Sequence, residues 1–398
     1  MVSHHFAQVV ATNVAYWQNR VHNLTDAEIC RLAPDHPNLL RAAEFGQVLP
    51  ATQPAVAELI LHAFPLIERC GHLELWLPLL DQAITASNDD ALPRKGKLLN
   101  CRGLLLRRRP QFDQAIAAHE EARRIAVRLN APQAIAEADF NLSETYRLRR
   151  DYAQAEAYGL AALEIFTHLP GVEKWQASAL NTLGLTAREL GQLETSAQRL
   201  EQAVALWRQL EQPTELGRTL NNLANTLQAQ KKYAAALTQF QTAADVLAST
   251  ASELDKSKVL LSLGNLHYQL EQFDQAEDAI RQADSPALRQ SGDSYLRAVF
   301  YLNLGSVVLK QQRPGEAEGY LRQSLIFWRQ TEHKRNLANA CGTLGEALAA
   351  QGKGRDACLY FDEAIGLLES YLGNLRVKNL PDPWAEYLLK KLKALRGE

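Results

Sequence analysis

Three arginines of this sequence, Arg107, Arg147 and Arg188, are spaced by 40 and 41 residues. A guanidinium group presents its N–H donors in a fixed fork that matches a carboxylate. Arginines repeated at one interval would therefore bind an acidic segment at successive steps, provided that the chain itself repeats with the same period. The chemistry depends on the elements that position these side chains.

Residue patterns typical of catalysis are missing from the sequence. There is no nucleophile elbow, His-Glu-x-x-His motif, calcium loop or dinucleotide fingerprint. The pairs Gly96-Lys97 and Gly352-Lys353 lack both the glycine five residues earlier and the following hydroxyl that a phosphate-binding loop needs. The sequence therefore predicts a non-enzymatic protein that binds no ATP and uses no cofactor and no metal ion.

The composition is that of an ordinary soluble protein. Of 398 residues, 43 are Lys or Arg and 45 are Asp or Glu, so the formal net charge of −2 argues against a general nucleic-acid binder. No apolar run reaches the roughly 18 residues that span a bilayer, and the first residues lack the layout of a signal peptide. Five scattered cysteines indicate neither a disulfide framework nor a zinc site. These features predict a cytoplasmic protein with no membrane partner.

Three columns of small residues recur along the chain with a period near 40 residues. Within each repeat the second column lies 12 residues after the first, and the third lies 7 residues after the second. The columns are Phe64, Gly103, Ser143, Gly184, Ala224, Gly264, Gly305 and Gly345; Trp76, Ala115, Ala155, Ser196, Ala236, Ala276, Ala317 and Ala357; and Ala83, Ala122, Ala162, Ala203, Ala243, Ala283, Ser324 and Ala364. Large residues at Phe64 and Trp76 make the first of these eight repeats degenerate.

Each repeat has the pattern of two helices. Leu220, Leu223 and Leu227 follow one helical face, a break comes at Lys231-Lys232, and a second apolar stripe begins at Tyr233. Neither helix buries its stripe alone, so repeats must stack on their neighbours. Strand patterns are absent. The predicted fold is an all-α, superhelical solenoid of antiparallel helix pairs, about eight in number, with helical caps.

The small columns resemble those of the tetratricopeptide repeat, which has a small residue at its eighth, twentieth and twenty-seventh places. The period of 40 rather than 34 resembles the longer form found in kinesin light chains and in bacterial signalling ATPases of the STAND class. The resemblance covers residues 57–370. It implies an N-terminal helical cap or joint at 1–56, similar to the one that precedes such arrays in STAND-type regulators, and a C-terminal helix within 371–398.

The C-terminal helix has two interpretations. Trp384, Leu388 and Leu392 lie on one helical stripe, and Lys390, Lys391, Lys393 and Arg396 surround it. A polar-faced cap would cover the apolar end of the array, whereas a basic amphipathic helix would bind a partner or a membrane surface.

The resemblance also implies a site, because the first helices of tetratricopeptide arrays line a concave groove. Carrying over the groove-facing places gives Arg107, Arg147 and Arg188, further cations and a set of amide and hydroxyl side chains. The candidate residues are Lys97, Asn100, Arg107, Arg147, Asn181, Arg188, Arg218, Asn221, Asn225, Gln228, Lys258, Asn265 and Tyr268. The alternative interpretation of the three arginines is ordinary solvated surface, because a helix face outside the core must be polar.

Two functions follow from the resemblance. In the first, the array binds a protein or peptide segment, acidic or extended, in its groove, and charge reversal at Arg147 weakens binding while leaving the fold intact. In the second, it is the sensor half of a STAND-type ATPase and controls a separate module.

Overall fold

The computed structural model describes residues 4–22, 24, 26–87, 91–377 and 382–397. Helices joined by turns make up the described residues, which contain no strand, so the predicted all-α class is confirmed. The chain divides into unit 1, residues 1–206, and unit 2, residues 207–398.

Unit 1 begins with three helices that precede the repeats and continues with four helix pairs. The first three are α1 (His4–Arg20), α2 (Asp26–Leu32) and α3 (His36–Val48). The pairs are α4 (Gln53–Cys70) with α5 (Leu73–Ala86), α6 (Leu92–Arg108) with α7 (Phe112–Arg128), α8 (Pro132–Leu148) with α9 (Tyr152–His168), and α10 (Glu173–Glu189) with α11 (Leu193–Gln209). The last three residues of α11 belong to unit 2.

Unit 2 contains four further pairs, one short helix and a final helix. They are α12 (Pro213–Ala229) with α13 (Tyr233–Ala248), α14 (Glu253–Gln269) with α15 (Phe273–Gln282), the short α16 (Pro286–Gln290), α17 (Ser294–Lys310) with α18 (Pro314–Trp328), α19 (Lys334–Ala350) with α20 (Gly354–Val377), and α21 (Pro383–Arg396). The eight pairs within the described residues match the predicted number of repeats. The first pair begins at Gln53 and the last ends at Val377, whereas the sequence predicted an array over residues 57–370.

The first column of small residues lets the two helices of a pair approach closely. A Cβ atom on Gly184 would lie 2.7 Å from Leu200 Cγ, and one on Gly305 would lie 2.7 Å from Leu321 Cγ. The partner is always 16 residues later, on the second helix. In the repeat of Ser143 the sizes are exchanged, since its partner is Gly159. The small column therefore fixes how the helices of each pair pack.

The turn between the helices of a pair is held by one residue with a left-handed backbone. Arg150, Lys231, Glu271 and Gln312 adopt φ between 59° and 68° there, and Gly191 and Gly352 adopt φ near 75°. Only the glycines reach this region without steric cost. Most repeats thus turn without glycine, which explains why turn residues were a weaker signal than the small columns.

Candidate functional site

The three arginines that share one place in the repeat lie on the first helices of unit 1. Arg107 is in the last turn of α6, Arg147 in the last turn of α8 and Arg188 in the last turn of α10. None is a freely solvated cation, because only 15%, 20% and 27% of their side chains are exposed. We call the surface that they share with the other groove-predicted residues of α6, α8 and α10 the first-helix face of unit 1.

One carboxylate joins the first two arginines. Glu144 Oε2 lies 3.6 Å from Arg107 Nη1, and Glu144 Oε1 lies 3.7 Å from Arg147 Nη2. The Thr182 hydroxyl on α10 donates a 2.8 Å hydrogen bond to the same carboxylate, which thereby connects three consecutive first helices. Burial alone would raise the pKa of Glu144, but Arg107, Arg147 and the Thr182 hydroxyl outweigh it and leave the pKa below its usual value.

These contacts leave some guanidinium N–H donors of Arg107 and Arg147 without a hydrogen bond. The distances from Glu144 to the two guanidinium groups exceed hydrogen-bond length. Arg107 Nη1 and Arg147 Nε are buried and have no hydrogen-bond partner among the described residues. Arg188 is apart from this cluster, and its Nη2 atom lies 3.6 Å from its neighbour Glu189. The structure thus brings two of the three arginines together around an internal anion.

Unit 2 repeats this arrangement at another place of the repeat. Asp255 accepts from Arg218, with 2.6 Å between Arg218 Nη2 and Asp255 Oδ2, and Lys258 Nζ lies 3.5 Å from Asp255 Oδ1. In both clusters the first cation is 37 residues before the carboxylate, and the second is three residues after it. Lys97 differs, since it is exposed. Burial raises the pKa of Glu137, and the Gln133 side chain and the charge of Lys97 oppose that rise without cancelling it.

The predicted amides have varied environments. Asn100 Oδ1 accepts from His119 Nδ1 at 3.0 Å, Asn225 donates to the Asn221 backbone, and Gln228 donates to Gln269. Asn221 Oδ1 is buried with no hydrogen-bond partner among the described residues. Asn181 is half-buried on α10.

Asn265 and Tyr268 line a cavity of unit 2 together with Trp384, Leu388 and Lys391 of the C-terminal helix. Burial, and to a smaller extent the Glu346 carboxylate, raises the pKa of Tyr268, so its hydroxyl stays protonated.

Sequence reasoning missed three important side chains. Glu144 and Asp255 were overlooked, although each stands three residues before a predicted cation, a spacing at which helix side chains meet. His119 was overlooked, although it occupies the place that Leu200, Ile280 and Leu321 fill in other repeats. The signal available in the sequence was His119 itself, a polar residue at a place of the repeat that is otherwise apolar.

Other kinds of site are not indicated in the described part of the chain. No group of three or more His, Cys, Asp or Glu side chains there is arranged to hold a metal ion. None of the helices described combines the length and apolar character needed to cross a membrane.

Stacked helix pairs with a common register place the chain in the α-solenoid class of repeat proteins. The family model of the tetratricopeptide repeat matches residues 134–209 and 215–283. These residues of the chain are therefore tetratricopeptide repeats. Among curated proteins, none matches the sequence.

Three solved structures illustrate the similarity in fold. A STAND protein with a tetratricopeptide repeat sensor from Pyrococcus horikoshii has a TM-score of 0.66 at 14% identity, covering 94% of this chain and 55% of that one. The apo quorum sensor NprR from B. thuringiensis has a TM-score of 0.61 at 15% identity, covering 91% and 99%. Aspartyl phosphate phosphatase F from Bacillus subtilis has a TM-score of 0.57 at 15% identity, covering 92% and 95%.

Proposed function

We propose that this chain is a non-enzymatic, cytoplasmic protein-binding module, and that the first-helix face of unit 1 binds an acidic, extended segment of a protein partner. The observation that carries the proposal is the pair of buried donors, Arg107 Nη1 and Arg147 Nε. Neither has an acceptor within hydrogen-bond distance among the described residues, and Glu144 Oε2 lies 3.6 Å from Arg107 Nη1. Buried polar groups are nearly always hydrogen-bonded in folded proteins. A carboxylate of a partner would supply the acceptors.

Glu144 changes how such a segment must bind. Its carboxylate already neutralises part of the charge of Arg107 and Arg147, so an incoming carboxylate has to share or displace it. Because the Glu144 contacts are longer than hydrogen bonds, a ligand that approaches at hydrogen-bond distance gains more from the same guanidinium groups. Glu144 therefore competes with the ligand.

The position of Glu144 is a reason to expect that charge reversal at Arg147 disturbs the fold as well as binding. Arg147→Glu would place a second carboxylate beside the largely buried Glu144, and like charges in such a site are costly. Arg147→Gln is the sharper variant, because it removes the positive charge and introduces no repulsion.

The test uses a fluorescein-labelled hexaglutamate peptide, with hexaglutamine as the uncharged control, and measures anisotropy at low and at physiological ionic strength. We expect Arg147→Gln to weaken hexaglutamate binding by about 1.5–3 kcal/mol, the usual contribution of a hydrogen bond to a charged group. Glu144→Gln should strengthen binding, because the competing charge is gone. Higher salt should weaken the parent complex.

The matched control is Arg124→Gln on α7, a second helix, where 73% of the Arg124 side chain is exposed. This variant makes the same change in net charge away from the first-helix face and should bind like the parent. Equal affinity of the parent, Arg147→Gln and Glu144→Gln would reduce the arginines to an internal ion-pair network. Failure of every form to bind hexaglutamate would exclude an acidic ligand.

The second candidate function is the sensor half of a STAND-type ATPase. It is supported by the likeness in fold to the Pyrococcus horikoshii protein, of which this chain spans about half. A nucleotide-binding module in the same gene product, whose ATPase rate changes when this array is removed, would favour it over a separate binding module.

A further inference from the structure

Helices α1 and α3 of unit 1 border a cleft of about 430 Å³, which lies outside the repeats. Each helix lines the cleft with side chains three or four residues apart, which share one helical face. The lining residues are Asn13, Tyr16, Trp17 and Arg20 of α1, Asp35 directly before α3, and Asn38, Arg41 and Phe45 of α3. We call this space the α1–α3 cleft.

The two helices are fixed against each other beside the cleft. A Cβ atom on Gly46 of α3 would lie 2.7 Å from Val14 Cγ2 of α1, so the helix backbones approach closely there. Trp17 lines the cleft and is buried. Gln18 Nε2 donates a 2.8 Å hydrogen bond to the Ala55 backbone oxygen, which connects α1 to α4. The walls of the cleft are therefore in place before any ligand binds.

The cleft contains one ion pair and one further cation. Arg20 Nη2 lies 3.1 Å from Asp35 Oδ2, and Arg20 also donates to the Tyr16 hydroxyl, so the charges of Arg20 and Asp35 neutralise each other. Arg41 is exposed and has no ion pair or hydrogen bond among the described residues. The cleft thus carries one surplus positive charge, on a guanidinium group whose donors match a carboxylate.

Two half-exposed aromatic rings line the same cleft. The Tyr16 ring packs edge-on against Trp17, with 5.4 Å between the ring centres, and the Phe45 ring packs edge-on against Phe6 at 6.3 Å. No ring contact joins Tyr16 to Phe45 among the described residues, and half of each side chain is exposed. Aromatic rings attract one another in edge-on and offset arrangements beyond the gain from burial. A ligand that combines an aromatic ring with one negative charge therefore fits the cleft.

We propose that the α1–α3 cleft is a binding site for a small aromatic carboxylate. Arg41 binds the carboxylate through its N–H donors, and Tyr16 and Phe45 pack against the aromatic ring. The carboxamides of Asn13 and Asn38 have no hydrogen-bond partner among the described residues and can pair with polar groups on the ring. The volume lies within the range of about 300–1,000 Å³ that is usual for small-ligand sites.

This site is independent of the one proposed on the first-helix face of unit 1. Its residues belong to helices that precede the repeats, and neither Arg107 nor Arg147 lines it. Arg147→Gln should therefore bind an aromatic carboxylate like the parent, whatever the outcome with hexaglutamate.

The experiment uses saturation-transfer NMR on the full chain, with phenylacetate and naphthylacetate at up to about 1 mM, where weak binding is still detected. Phenylacetamide and naphthylacetamide lack the charge, and cyclohexylacetate lacks the aromatic ring. We expect the two aromatic acids to bind more tightly than all three of these compounds.

Calorimetry then compares the affinity of the parent for phenylacetate with that of two variants. Arg41→Gln should weaken binding by about tenfold or more, because the charge-assisted hydrogen bonds are lost. Phe45→Leu should weaken it by about two- to tenfold, because the ring contact is lost while an apolar side chain remains. Both residues are exposed, so the fold should be retained, which circular dichroism checks.

Two control variants match these changes outside the cleft. Arg31→Gln removes a positive charge from α2, where 72% of the Arg31 side chain is exposed, and Tyr387→Leu removes an exposed ring from α21. Both should bind phenylacetate like the parent. The proposal is overturned if neither aromatic acid binds the parent, or if the amides or cyclohexylacetate bind as tightly as the aromatic acids. It is equally overturned if Arg41→Gln or Phe45→Leu retains the affinity of the parent.

Discussion

At the scale of single residues, the main finding is that the predicted cations have acceptors within the chain. Glu144 lies between Arg107 and Arg147, and Asp255 lies between Arg218 and Lys258. The sequence identified the cations because they share places in the repeat. It could not weigh their surroundings, since each carboxylate is 37 residues from one of its cations and meets it only after two repeats have stacked.

His119 shows most clearly how burial controls a side chain. It is fully buried on α7 against Gly103 of α6, its Nδ1 atom hydrogen-bonds Asn100, and its Nε2 atom has no partner among the described residues. Burial, followed by the positive charge of Arg107, lowers the pKa of His119 to about 3. The ring is therefore neutral in the folded chain at physiological pH.

This lowered pKa predicts an acid-sensitive unit 1. An unfolded chain binds a proton at His119 near the ordinary pKa of about 6.5, whereas the folded chain does not. The neutral His119 ring therefore costs the folded chain no stability above about pH 6.5. As the pH falls from there toward the pKa of the folded state, the unfolded chain gains a proton and the free energy of unfolding decreases. His119→Leu should remove this part of the pH dependence, which amounts to about 3 kcal/mol at pH 4. Urea denaturation across this pH range measures it.

The control for this prediction is His168→Leu on α9, because His168 is exposed. The stability of the His168→Leu variant should change with pH in the same way as the stability of the parent. A His119→Leu variant that loses stability toward pH 4 as steeply as the parent would contradict the buried neutral ring.

At the scale of helices, the sequence predicted the register of the array well. The small columns gave eight pairs, because the close contact of Gly184 with Leu200 demands a small residue at one fixed place in each repeat. Helix α15 departs from this regularity, since it ends at Gln282 and the short α16 follows. Ser285 caps α16 by accepting from the Leu288 N–H, and Pro286 begins it. That Ser-Pro signal was present in the sequence, but the periodic columns continue past it.

The third small column predicts a penalty for added volume. Ala243 is fully buried on α13, so Ala243→Leu should overpack the helix contact and cost roughly 1–3 kcal/mol of unfolding free energy. Ala235→Leu, at an exposed place on the same helix, is the control and should stay within about 0.5 kcal/mol. Denaturant unfolding of both variants measures the difference, and equal stability of the two would show that the assigned register is wrong.

At the scale of the whole molecule, a periodic pattern predicts repeats but not the sites between them. The cavity of unit 2 combines Asn265, Asn303 and Asn339 from three different places of the repeat with residues of α21. No column of the sequence aligns them, and the period has already faded at α21. The sequence placed Asn265 and Tyr268 in the groove and Trp384, Leu388 and Lys391 on the C-terminal helix, but only the stacked helices bring the two sets together.

The stacking of neighbouring helix pairs also determines how far the destabilisation caused by one substitution extends along the array. In a repeat array each pair contacts mainly the pairs beside it, so stability is approximately a sum of local terms. Ala243→Leu disturbs the pair α12 and α13 and should lower amide-exchange protection there and in the adjoining α14. Helices α19 and α20, separated from it by two pairs of unit 2, should keep the protection of the parent, because none of their contacts changes. Hydrogen exchange read by mass spectrometry, peptide by peptide, measures both regions in one sample. A uniform loss from α12 to α20 would instead show that unit 2 unfolds as a single cooperative block.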